Sequence, residues 1–164
     1  MEKKSTDPVQ TLRDGKQLTP SLRIERAGSG ETLMALKLSL KPGEKFVVNG
    51  AVIANGDRRS SLVIQNKVSI LREKDIMRQE DVNTPARRIY FPIMLCYLDP
   101  DSRSKYIEEF MTRMTEFMSV VEDPEAKARC IEISADVMNS NYYRALMTCK
   151  KLFDYEKKRL EYVP

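Results

Sequence analysis

Histidine and tryptophan are absent from this chain of 164 residues. Without histidine, the side chain most used for proton transfer near neutral pH and the commonest zinc ligand are both missing. A hydrolase would have to run on carboxylates, lysine or cysteine. Cysteine is scarce: Cys96, Cys130 and Cys149 lie far apart in apolar helical patterns, with no C-x-x-C spacing. An odd number without pairing logic points to a reducing compartment and to cysteines that act as small core residues. Between Met34 and Met77 the only aromatic residue is Phe46. The aromatic platform on which common RNA-binding folds stack bases is therefore missing from that stretch. No apolar run approaches a membrane span, and the opening MEKKSTDPVQ lacks the apolar region of a signal peptide. A cytoplasmic protein with no membrane partner is the expectation. There is also no Walker A motif, dinucleotide fingerprint or nucleophile elbow. The acids Glu108, Glu109, Glu122, Asp123 and Glu125 fall on helix faces or helix starts, where negative charge suits the dipole. No catalytic residue, metal ligand or cofactor is expected, and the chain is not read as an enzyme.

What the chain does have is an uneven charge. The net charge is +4. The positive excess sits on residues 34–77, in Lys37, Lys41, Lys45, Arg58, Arg59, Lys67, Arg72 and Lys74, whereas residues 99–164 are mildly acidic. Such asymmetry suits one surface for a polyanion and another for a protein; ordinary solubilising charge is the plainer reading.

The basic stretch reads as a small β unit. Residues 35–41, ALKLSLK, alternate strictly, with Leu36, Leu38 and Leu40 on one face. Pro42-Gly43-Glu44 turns the chain, and Lys45 to Val48 is the next strand. Asn49-Gly50 is the strongest short hairpin signal, since a type I′ turn needs positive φ at both central residues. Ala51 to Ala54 returns, Asn55-Gly56-Asp57 turns again, and residues 59–65 and Val68 to Leu71 complete five strands. That spacing predicts a small antiparallel meander or barrel over residues 34–77. A sheet this small buries little, so it needs the helices or a second copy of itself, and a homodimer is expected. Residues 1–33 carry no sustained apolar period and read as a disordered arm without essential function. The alternatives for them are a flexible polyanion-binding arm or an artefact of an upstream start codon.

Residues 78–83 form a polar linker. From residue 84 to 164 the pattern is helical, so the fold class is α+β: a small antiparallel β unit followed by a bundle of three or four helices. Thr84-Pro85 and Asp123-Pro124 each read as an N-cap followed by proline at the first helical position. The run from Ala86 to Leu98 is strongly apolar, and Pro92 within it predicts a kink or interruption. Tyr106, Phe110, Met114, Phe117 and Val121 share a face of the next helix. For the last helix, Tyr143, Leu146, Cys149 or Lys150, Phe153 and Leu160 are the expected inner face.

Strand ends on one side of a small sheet can converge on a phosphate backbone, where the guanidinium fork of arginine binds phosphate and stacks on bases. Lys41, Arg58, Arg59 and Arg72 are the candidate RNA contacts, with Lys37 and Lys74 in support.

From Met34 onward the chain resembles the FlbT family of flagellum biosynthesis repressors. The matching segments include LKLSLKPGEKFVVNGAVIANGDRRSSLVIQNKVSILREKDIM and TPARRIYFPIMLCYLDPDS. The resemblance implies a cytoplasmic bacterial regulator that acts after transcription, on the 5′ untranslated region of flagellin mRNA, and alters its translation and decay. Some members repress flagellin and others promote it. It also implies FlaF, or flagellin itself, as a protein partner. Residues 35–77 are similar, in addition, to the carbon storage regulator family of RNA-binding β dimers. Lys41-Pro42-Gly43-Glu44 and Leu71-Arg72-Glu73-Lys74-Asp75-Ile76 stand where that family has its first-strand basic motif and its post-strand arginine. Leu40 and Leu71 depart from that family's arginine and histidine. Two functions follow as expectations: an mRNA-binding regulator working through the β unit, or a protein-binding adaptor or chaperone-like factor in flagellum assembly working through the helices.

Overall fold

A computed structural model describes residues 22–24, 36–66 and 68–161. The chain divides into two compact units, residues 1–76 and 77–164. The arm expected over residues 1–33 lies outside the described residues, except for Leu22–Ile24, which form a strand.

The first unit contains β1 (Leu22–Ile24), β2 (Leu36–Leu40), β3 (Lys45–Val48), β4 (Ala51–Ala54), β5 (Ser60–Ile64) and β6 (Ile70–Arg72). They form two antiparallel sheets, ordered β1-β2-β5 and β4-β3-β6. The alternation in β2 works as its spacing dictates: Leu38 and Leu40 are buried while Lys37 and Ser39 are exposed. β3 is the central strand of its sheet, and Phe46 and Val47, on opposite faces, are both buried. The β3–β4 hairpin closes through Asn49 at φ 47° and Gly50 at φ 82°, the type I′ pattern. The strands do not run as one simple meander, because β2 pairs with β5 across that hairpin, Leu38 opposite Leu62. The last strand starts at Ile70, later than Val68, since Asn49 engages the preceding residue: its Oδ1 accepts from the Ser69 N–H at 2.9 Å.

The second unit is four helices: α1 (Pro85–Leu98), α2 (Arg103–Val120), α3 (Pro124–Met138) and α4 (Tyr142–Glu161). The two predicted caps form. Thr84 Oγ1 accepts from the Arg87 N–H at 3.4 Å, and Asp123 accepts from the Ala126 N–H at 2.8 Å. A further orphan donor at the start of α1, the Ala86 N–H, is taken by Glu156 of α4 at 3.1 Å. α1 packs on α2 and α4, and α3 packs on α4. The helix α1 runs through Pro92 without interruption. Proline removes one backbone bond there, and burial of Ile89, Tyr90, Ile93, Met94 and Cys96 around it holds the helix together. The inner face of α4 is Tyr142, Ala145, Leu146, Cys149 and Leu152, whereas Tyr143 and Leu160 are exposed. Leu146 and Cys149 of the expected face are buried, whereas Tyr142 and Leu152 take the buried places expected for their neighbours Tyr143 and Phe153. α3 ends in a Schellman motif: the Ser140 N–H bonds the Val137 carbonyl and the Asn141 N–H bonds the Asp136 carbonyl. The buried Asp136 carboxylate also accepts from the Arg144 guanidinium in the first turn of α4, which ties the α3–α4 corner. All three cysteines are free and buried in this unit.

Candidate nucleic-acid interface

The β2–β3 connection is a type II turn. Pro42 supplies the fixed φ of its second position, Gly43 the positive φ of +68° at its third, and the Glu44 N–H bonds the Lys41 carbonyl at 3.1 Å. The Lys41 N–H in turn bonds Glu44 Oε2 at 2.9 Å. This small ring fixes the backbone at Lys41.

A second loop, between β4 and β5, is laced onto the first. The Gly43 N–H bonds the Gly56 carbonyl at 3.0 Å, and the Asn55 N–H bonds the Glu44 carbonyl at 2.8 Å. The Asn55 side chain does most of the joining. Its Nδ2 donates to the Lys41 carbonyl at 2.7 Å and to the Arg58 carbonyl at 2.9 Å, and its Oδ1 accepts from the Ser60 hydroxyl at 2.7 Å. One amide thus satisfies backbone acceptors in both loops and locks Lys41 beside the Arg58-Arg59 turn. Arg58 and Arg59 are exposed and Lys41 is half-buried. Lys37 is exposed on the outer face of β2, and Lys74 is exposed in the one-turn 3-10 helix Glu73–Asp75 that follows β6. No ion pair engages these five cations among the described residues.

Arg72 is placed differently. It stands on β6 opposite Phe46 of β3 and is 5% exposed. Its Nη1 donates to Glu44 Oε1 at 2.9 Å, so both oxygens of that carboxylate are engaged, one by Arg72 and one by the turn. Its Nη2 is buried with no hydrogen-bond partner. The expectation that Arg72 offers its guanidinium to RNA is corrected by this placement: a guanidinium inside the sheet cannot straddle an external phosphate. Arg72 instead holds Glu44, and through Glu44 the turn that carries Lys41. Sequence reasoning also passed over Asn55 and Glu44. The Asn-Gly after β4 marked a turn, yet nothing local marked that asparagine as the link between two loops.

The arrangement therefore gathers Lys41, Arg58 and Arg59 on a rigid double loop, with Lys37 and Lys74 placed separately. Its chemistry is that of point charges and guanidinium forks suited to a phosphate backbone. Among the described residues, no group of histidine, cysteine or carboxylate side chains could hold a metal ion, and no helix is long and apolar enough to cross a membrane.

A family model described as "Flagellar protein FlbT" matches residues 36–160. The flagellum biosynthesis repressor protein FlbT of Caulobacter vibrioides (strain ATCC 19089) is 60% identical over 130 residues, which cover 79% of this chain and 92% of that protein. A probable protein of the same name from Caulobacter sp. (strain K31) is 59% identical over 130 residues, 79% of this chain and 99% of its own. A more distant one from Bradyrhizobium diazoefficiens is 35% identical over 132 residues, 76% of this chain and 84% of its own. No solved structure matches.

Proposed function

The chain belongs to the FlbT family of flagellar proteins, and on that premise we propose that it binds the 5′ untranslated region of flagellin mRNA through its first unit and alters translation and stability of that message in the cytoplasm. A regulatory role accords with the name of its relatives, flagellum biosynthesis repressor. The observation that carries the RNA reading is the Asn55-tied double loop, which presents Lys41, Arg58 and Arg59 without competing carboxylate partners among the described residues. Lys37 and Lys74 extend the charge to either side. Arg72 takes a positioning role.

Binding of a flagellin leader RNA, followed by fluorescence anisotropy across salt concentrations, tests this. Three to five phosphate contacts on a single strand give a log–log salt slope of roughly −2 to −3.5, at about −0.7 per contact. Arg58→Ala and Arg59→Ala each weaken binding and flatten the slope by about one contact. Asn55→Ala weakens binding by loosening the loops, at an unchanged charge. Absence of salt-dependent binding to the leader sinks the reading.

A second reading is favoured by one feature. Ala128, Ile131, Ala135 and Met138 are all exposed at helical spacing on α3, with Ile131 and Met138 more than 60% exposed. An adaptor that docks a flagellar protein such as FlaF or flagellin would use such a face. Ile131→Asp would then abolish capture of that partner and leave RNA affinity untouched.

A further inference from the structure

Among the described residues, the strand β5 is an unguarded edge. It pairs with β2 on one side, and among the described residues no strand pairs with its other side. Soluble proteins blunt such edges with charge, proline, bulges or a covering element. Ser60-Ser61-Leu62-Val63-Ile64 has neither charge nor proline. Both of its faces are open: Leu62 is 38% exposed and Val63 57%. The pairing register makes the first of these informative. Leu62 lies beside Leu38, which is 2% exposed, so an apolar row that is fully covered on β2 is left half-covered one strand further out.

We infer that β5 pairs antiparallel with β5 of a second copy of this chain, joining two β1-β2-β5 sheets into one of six strands. A twofold axis normal to the sheet keeps every residue on its own face, so opposed residues must have the same parity along the strand. An axis at Leu62 meets that condition. It sets Leu62 against Leu62 of the second copy, Ser61 against Val63, and Ser60 against Ile64. The half-covered apolar row then continues across the join. Beyond the strand, Arg59 and Arg58 fall opposite Gln65 and Asn66 of the other copy, so no two like charges face one another. A foreign strand would have to match this pattern independently; a second copy matches it by symmetry. The seam is short compared with standard interfaces, so the dimer dissociates on dilution. This inference stands apart from the RNA reading.

Sedimentation of the full chain from micromolar to several hundred micromolar tests it. A concentration-dependent dimer is expected. Val63→Lys, at an exposed position that tolerates the side chain, weakens it by about tenfold or more. Leu62→Cys, oxidised with copper phenanthroline, forms a disulfide between chains, because a residue on the axis faces its own copy at about 4.5–5.5 Å between Cα atoms. Ile64→Cys, which faces Ser60, does not, and the native thiols are buried. A chain that stays monomeric throughout overturns the inference. So does a Val63→Lys variant that dimerises as well as the parent, or a dimer in which Leu62→Cys gives no cross-link. Should Val63→Lys fail to fold, the Leu62→Cys result decides alone.

Discussion

Arg72 and Glu44 leave water together, and each makes the other's burial tolerable. Removing one member of a buried pair leaves the other charge without compensation, which costs about 3–5 kcal/mol, whereas replacing both by apolar groups of similar size costs little. Arg72→Ala is therefore expected to destabilise the first unit by about that amount in urea unfolding, and the double variant Arg72→Met with Glu44→Leu to recover part of the loss, since the Lys41 N–H still loses its Glu44 acceptor. A fall in RNA affinity for Arg72→Ala alone would report an unfastened turn; Arg59→Ala lowers affinity at an unmoved urea midpoint. The same pair marks where reading the sequence stops. Arg58 and Arg59 are legible as exposed cations, and Lys41 as a cation at a turn, because turn residues flank them. Arg72 was not legible as interior, because its partner lies 28 positions away in the chain, and a basic residue at a strand end otherwise favours water. Asn55 escaped for a like reason. A turn asparagine is common, and its bonds to Lys41 and Arg58 exist only once two loops meet.

The α3–α4 corner shows the same distinction for elements. Asn139-Ser140-Asn141 are turn-forming residues that mark its position, but nothing in them marks its strain. Ser140 occupies the left-handed region at φ 60°, at the site of the Schellman motif where glycine is preferred. Ser140→Gly removes the Cβ conflict and is expected to stabilise the second unit by about 1 kcal/mol, read as a rise in its thermal midpoint. Strand and helix positions were well signalled wherever the signal was local: the hairpin at Asn49-Gly50, the alternation of β2, and the caps at Thr84 and Asp123. Pairing was less so. β2 meets β5 across an intervening hairpin, and alternation in one strand does not name its neighbour. Pro92 did not interrupt its helix, because a local breaker was outweighed by the burial of its neighbours.

For the molecule as a whole, charge and thiol are divided between its units. Lys37, Lys41, Arg58, Arg59 and Lys74 lie on the first, and Cys96, Cys130 and Cys149 all lie in the second. Burial pushes the Cys96 and Cys130 thiols up to about 11 from an ordinary 9.0, and raises that of Cys149 as well, aided by Cys130 and Glu156. The folded state thus keeps protons that the unfolded chain releases above its ordinary thiol pKa. This stabilisation is whole below about pH 9 and is lost as pH rises towards the folded values near 11. The urea midpoint of the second unit should fall over that window, and serine at these positions should flatten the fall. The confinement of the thiols has a use of its own. Maleimide reaches them only when the helices open, so the labelling rate is a clock set inside one half of the chain. Run on the parent and on Arg72→Ala, that clock measures how far loosening the β unit is felt by the helices, with no engineered labelling site.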